Sequence, residues 1–189
     1  MKHVKMLGLL VMAAASLMAF ASSASAAPVL TSPAGTDYTG SIEATMTSGT
    51  SSVMKAGIED TCTESTAIGT ISSNTEVHAT GSGGIETGKC TQDTKTITPG
   101  SLTMNAAGEV FTIGSRVEVK VTSLGISCFY GAETGSVKIG TFTGGTPAHL
   151  DVSTTTLQRE SGSNTFFCAA AASYTSQYTV TKPTSLFLK

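Results

Sequence analysis

RVEVKVTSLGISCFYG, residues 116–131, carries the clearest strand signal in the chain. Val117, Val119 and Val121 share one face and Glu118, Lys120 and Thr122 the other, the period of two that a strand with one buried face requires. After Ser123 the parity switches, so that Leu124, Ile126, Cys128 and Tyr130 fall together and Gly125, Ser127, Phe129 and Gly131 oppose them. A slip of one residue needs a bulge or a tight turn. The stretch therefore predicts two β segments joined near Ser123, Leu124 and Gly125, the second fixed to the rest of the fold through Cys128.

Working outward, the same chemistry recurs along the chain. Beyond residue 26, Thr, Ser and Gly dominate, charged residues are few, and no long apolar stripe of period 3.6 with capping residues appears. Thr and Val favour strands and Gly supplies turns, so the class is all-β. A disordered, glycosylated stalk is also Thr- and Ser-rich, but alternating Val, Ile, Leu and Phe and only five Pro speak against one. Residues 38–47, 53–64, 66–73, 94–98, 102–105, 109–113, 136–143, 148–155, 170–180 and 185–188 read as strands. Residues 81–89, GSGGIETGK, read as a flexible loop, because no helix follows to turn a glycine-rich run into a phosphate site. Turns about ten residues apart predict an antiparallel β-sandwich or partly closed barrel of about ten to twelve short strands, stabilised by disulfides. An antibody-type domain would want a Trp between paired cysteines, and there is no Trp.

The beginning of the chain sets the compartment. Lys2, His3 and Lys5 precede an apolar run from Met6 to Phe20, and Ala24-Ser25-Ala26 follows, the pattern of a secretory signal peptide cleaved after Ala26. The run is shorter than the ~20 residues a membrane-spanning helix needs. The expected product is one β domain, residues 27–189, with no membrane span, secreted to the cell surface, periplasm or extracellular space. Without Lys2 and Lys5, nine Lys and Arg stand against thirteen Asp and Glu, a formal charge of −4. That balance, with no basic run, excludes nucleic acid as a natural partner.

Cys62, Cys90, Cys128 and Cys168 are even in number and widely spaced, as disulfides in an exported chain are. Of the three possible pairings, neighbours in sequence are favoured: Cys62 with Cys90, and Cys128 with Cys168. Zinc would prefer close ligand pairs, and none exists. No catalytic, cofactor-binding or metal signature is present. His149 and Asp151 share a strand face and could orient a base, but no Gly-x-Ser-x-Gly elbow accompanies them, and a wet strand face holds such residues anyway. His78 is the only other histidine beyond residue 26. Glu59, Asp60 and Asp93 could join a calcium site, although the EF-hand spacing is absent. Tyr174 and Tyr178, with Phe129, Tyr130, Phe166 and Phe167, lie near the second cysteine pair, where aromatics line an apolar pocket or pack the core.

Five stretches carry a resemblance: Tyr38-Thr39-Gly40-Ser41-Ile42, Thr61-Cys62-Thr63, the run from Leu124 to Gly131, Gly144-Gly145-Thr146-Pro147-Ala148, and Tyr178-Thr179-Val180. In them the chain resembles small exported, Thr-rich, four-cysteine bacterial β proteins of unassigned function. A fainter similarity, in the first segment, the Ser32-Pro33-Ala34-Gly35-Thr36 opening and the Thr-rich pattern, is to exported alkane-oxidation activators, which implies a cell-surface or matrix role with no active site. The leading expectation is a non-enzymatic β protein acting through adhesion, assembly or self-association with surface or matrix components. A soluble binder of a small apolar or carbohydrate ligand is the alternative, and a secreted hydrolase is a more distant one. No cofactor is expected.

Overall fold

The computed structural model describes residues 29–132, 134–163 and 166–189; the expected signal peptide lies outside them. Among the described residues all regular structure is β. A short strand β1 (Leu30–Thr31) precedes β2 (Gly40–Met46), β3 (Ser52–Lys55), β4 (Glu59–Asn74), β5 (His78–Cys90), β6 (Asp93–Thr98) and β7 (Gly100–Asn105). Then follow β8 (Glu109–Ile113), β9 (Arg116–Val121), β10 (Ile126–Gly131), β11 (Val137–Thr143), β12 (His149–Arg159), β13 (Ala171–Lys182) and β14 (Phe187–Leu188).

Twelve of these strands form one sheet, and its two ends meet. Four pairs of consecutive strands are collinear: β2 with β3, β6 with β7, β8 with β9, and β10 with β11. The register of β6–β9 runs almost unbroken into that of β7–β8, from Asp93 opposite Lys120 to Met104 opposite Val110. Each collinear pair thus acts as one long stave beside the continuous strands β4, β5, β12 and β13. The chain lays eight staves side by side, each antiparallel to the next, and β13 closes on β2 and β3. The result is a closed up-and-down barrel, the barrel alternative of the sequence reading. Closure removes the exposed sheet edges that would otherwise recruit other chains.

The opening stretch becomes the hairpin β9–β10, with Cys128 opposite Val119 and Tyr130 opposite Val117. Its parity switch is the tight turn: the Leu124 N–H donates to the Val121 carbonyl at 3.1 Å, and Gly125 takes φ +64°. Glycine adopts that conformation without the Cβ clash other residues pay. Val119, Val121, Cys128 and Tyr130 are all buried on the inner face.

Along β13 the alternation is complete. Ala172, Tyr174, Ser176, Tyr178 and Val180 are buried, while Thr175, Gln177 and Thr181 are exposed. Apart from Ser176 the inward side chains are Ala, Tyr and Val, while Thr175, Gln177 and Thr181 face out, the reverse of what a lipid-facing barrel needs.

Residues 81–89 are not a loop. They belong to β5, paired on one edge with β4 and, through residue 83, on the other with β7. Glycine's poor strand propensity is overridden by ladders on both sides at Gly81 and Gly83 and by the β4 ladder alone at Gly84 and Gly88, and the lack of side chains is used for packing. A Cβ at Gly83 would stand 2.8 Å from Leu102 Cδ1, so the Leu102 side chain occupies the space above the glycine. Residues 53–64 and 66–73 divide between β3 and the continuous β4.

Both ends of the barrel are covered. At one, β1 and β14 pair across the mouth, with Leu30 opposite Leu188. There Val29, Leu30 and Leu186 are fully buried. Asn74 Nδ2 donates to the Leu30 carbonyl at 2.6 Å, and Gly145 and Leu186 exchange backbone hydrogen bonds at 2.8 and 3.1 Å. At the other end the disulfide Cys128–Cys168 draws the β12–β13 connection over β10, and Cys62–Cys90 joins β4 to β5 directly across the ladder. Both are the expected pairings. The buried Tyr130 hydroxyl sits 3.1 and 3.2 Å from the carbonyls of Ala56 and Ala169, bridging two connections at that end.

Replacing Cys128 and Cys168 together by Ala removes a cross-link between residues 40 apart in sequence. The loop-entropy relation puts the loss at about 4 kcal/mol, to be read as a drop in the urea unfolding midpoint. An unchanged midpoint contradicts the clamp assigned to this disulfide.

Candidate functional site

The barrel interior is not completely filled. A cavity of about 190 Å³ lies along it, walled by Ala67, Leu102, Met104, Phe142, Leu150 and Val152 among others, and no charged side chain lines it. An eight-stranded closed barrel is just wide enough either to be filled by its side chains or to hold one small ligand. Small residues tip the balance here. Ala44, Ala67, Gly69, Ala79 and Gly83 on β2, β4 and β5 leave room that Phe142, Leu150 and Val152 on β11 and β12 do not occupy. For scale, an apolar cavity of about 150 Å³ accepts benzene.

One part of the wall is built differently. Beyond Gly83, β5 has no backbone ladder with β6: Pro99 carries no N–H at the split between β6 and β7, and threonine hydroxyls bridge the gap. The Ile85 N–H donates to Thr96 Oγ1 at 3.1 Å, Thr96 Oγ1 donates to the Ile85 carbonyl at 2.6 Å, and Thr87 Oγ1 donates to the Thr94 carbonyl. Gly84, Ile85, Thr87, Thr94 and Thr96 along this seam all line the cavity.

Two buried polar networks brace the interior. Tyr174 and Tyr178 approach hydroxyl to hydroxyl at 2.8 Å; Ser52 Oγ lies 2.5 Å from Tyr174 and Ser65 Oγ 2.7 Å from Tyr178. Ser65 Oγ also lies 3.1 Å from the Glu86 carbonyl. Burial, reinforced by the neighbouring Tyr174, pushes the Tyr178 phenol well above its ordinary value. Asp60, with no exposed surface, accepts from Thr91 Oγ1 at 3.0 Å, the Gln92 N–H at 2.6 Å and Thr94 Oγ1 at 2.5 Å. A carboxylate so provided with donors can be buried without a cation.

The residues singled out in the sequence divide between inside and outside. Tyr174 lines the cavity and Tyr178 supports it from the core. His149 and Asp151 do share a face, but it is the outer one. Both are exposed, His149 Nδ1 is 3.5 Å from Thr179 Oγ1, and neither lines the cavity. Glu59 pairs with Lys55 at 3.2 Å on the surface, and Asp93 is exposed. Asp60 lies beside the sulfurs of Cys62 and Cys90, but those sulfurs are joined to each other and offer a metal no thiolate. The aromatic group is also split: Tyr130, Tyr174 and Tyr178 are buried, Phe129 stacks under the Arg116 guanidinium at 4.3 Å, and Phe166 and Phe167 are exposed. Sequence reasoning missed the aliphatic wall and the seam. The signal that could have found the wall was the run of Ala and Gly at inner positions of neighbouring strands.

Comparison with known proteins adds no relative: no family model matches the chain, and neither the curated proteins nor the solved structures yield a match.

Because the folded Tyr178 phenol titrates higher than the unfolded one, its contribution to stability is complete below about pH 10 and is lost as the pH rises above that value. Tyr178→Phe is expected to cost about 1–2 kcal/mol at pH 7, where Ser65 and Tyr174 lose a partner, and to flatten the fall in stability between about pH 10 and 12. Urea midpoints of both proteins across that range test this. Parallel pH profiles would contradict it.

Proposed function

We propose that this protein is an exported, non-enzymatic binder of a small apolar molecule, held inside the barrel. The observation that carries the reading is the cavity of about 190 Å³ with an uncharged, largely aliphatic wall. A sugar would bring a hydroxyl on nearly every carbon and find few partners on such a wall, so the apolar ligand is favoured over the carbohydrate. Two disulfides suit an oxidising compartment. The threonine-bridged seam is the part of the wall that can open with the fewest backbone hydrogen bonds broken, and it supplies the route by which a ligand reaches the interior.

Enclosing about 200 Å² of ligand surface at about 25 cal/mol per Å² gives about 5 kcal/mol, a Kd of about 0.2 mM. With toluene at about 2 mM, the unfolding temperature of residues 27–189 is expected to rise by about 3–5 °C. Ala67→Leu, which places a larger side chain in the cavity, removes that shift while keeping the fold by circular dichroism. A temperature that toluene, short alkanes and small terpenes all leave unmoved would sink the reading.

A second reading, contact with surface or matrix components or with another copy, is supported by a different feature. Phe166 is 87% and Phe167 48% exposed, and the Leu124 turn is also open to solvent. The double change Phe166→Ser and Phe167→Ser is expected to lower adsorption to hydrophobic surfaces and any self-association, measured by surface plasmon resonance and analytical ultracentrifugation. No difference from the parent would remove this reading.

A further inference from the structure

We infer that the molecule held in the barrel carries one uncharged polar group, a hydroxyl or a carbonyl, on an otherwise apolar body, and that Thr112 and Thr154 recognise it. The inference rests on the binder reading above and adds the chemistry of the ligand.

Four hydroxyl-bearing residues that line the cavity are themselves buried: Thr94, Thr112, Thr154 and Tyr174. Two are paired within the protein, Thr94 with Asp60 and Tyr174 with Tyr178 and Ser52. Thr112 and Thr154 are each 3% exposed, and neither Oγ1 has a hydrogen-bond partner among the described residues. A buried hydroxyl left unpaired destabilises a fold, whereas Val fills the same volume with no such group. Two such hydroxyls at one cavity call for an explanation beyond packing.

The ladder places them together. Gly140 of β11 stands between Val110 of β8 and Val152 of β12. Both neighbours run antiparallel to β11, so Thr112 and Thr154, two residues further along each, lie toward the same end of the barrel, Thr112 opposite Val137 past the register slip and Thr154 just beyond the last β11–β12 pair. They flank β11 where its register slips around Ile139, which also lines the cavity. A threonine hydroxyl both donates and accepts, so the pair suits an alcohol, phenol, ketone or aldehyde. A carboxylate or an amine is excluded, because no lining side chain carries charge to offset it.

Toluene and phenol serve as probes of nearly equal shape, differing by a methyl in place of a hydroxyl. Their dissociation constants are measured by calorimetry on the parent protein, on Thr112→Val, on Thr154→Val and on the double variant. The expected result is a phenol-to-toluene affinity ratio about tenfold lower in the double variant than in the parent. The ligand-free unfolding temperature is expected to stay level or rise. If both probes bind and the ratio is unchanged within about twofold, the threonine assignment fails and the binder reading stands. If neither binds the folded parent, both fail. Single variants that unfold or lose several degrees would show hydroxyls engaged in the fold itself, and would overturn the assignment.

Discussion

The structure depends on one backbone ladder, the pairing of β13 with β2 and β3. Every other neighbour relation in the barrel is a hairpin between consecutive staves, local in sequence. The closing ladder joins residues 43–46 to 178–182 and residues 53–55 to 173–175, more than a hundred positions apart. Until it forms, two strand edges lie open and the interior is wet. Once it forms, each inward side chain is enclosed, and the in–out alternation acquires its energetic meaning. Tyr178 marks the junction. It sits on β13 opposite Met46, and its hydroxyl meets Ser65 of β4, so a residue of the closing ladder also bonds past β2 to the next stave.

The cavity follows from that closure combined with uneven side-chain size. A circle of eight staves fixes the interior width within narrow limits. What remains free is how the circumference is furnished. Large residues stand on β11 and β12, and Ala and Gly cluster on β4 and β5, so the leftover space is displaced toward β4 and β5. Leu102 takes part of it by lying over Gly83. The β1–β14 ribbon covers one end and Tyr130 with the Cys128–Cys168 connection the other, while along the β4–β5 wall the lining includes exposed residues such as Ile68 and Ser82.

Much of this was legible, and the limits are instructive. Period-two alternation in residues 116–121 and 170–180 is a local property, and the strands appear there. Cysteine pairing was readable because neighbours in a meander are neighbours in space. Closure could not be read, since a barrel and a sandwich share the same alternation and differ only in which distant edges meet. Residues 81–89 misled for a related reason: local propensity makes GSGGIETGK a loop, and only the ladder with β4, joined by β7 as far as Gly83, makes it a strand. His149 and Asp151 were correctly placed on one face, but parity alone does not say which face is inside. The neighbouring inner residues Leu150 and Val152 decide that, and they send the pair to solvent.

Pro99 marks where the β7 ladder along β5 ends. A stave that pairs on both edges needs an N–H at every second position on each edge, and proline has none. The stave accordingly splits at Pro99 into β6 and β7. The β7 half keeps its ladder with β5. The β6 half keeps its ladder with β9 and meets β5 only through hydroxyls. Hydroxyl bridges rotate and exchange more readily than a backbone ladder, which breaks only if neighbouring ladder bonds yield with it. On the binder reading, Cys62–Cys90 holds β5 to β4 on the seam's far side, and the hydroxyl-bridged seam is the part of the wall that parts with the fewest backbone bonds broken. A uniformly laddered barrel with the same cavity would need to unfold a stave to admit anything to it.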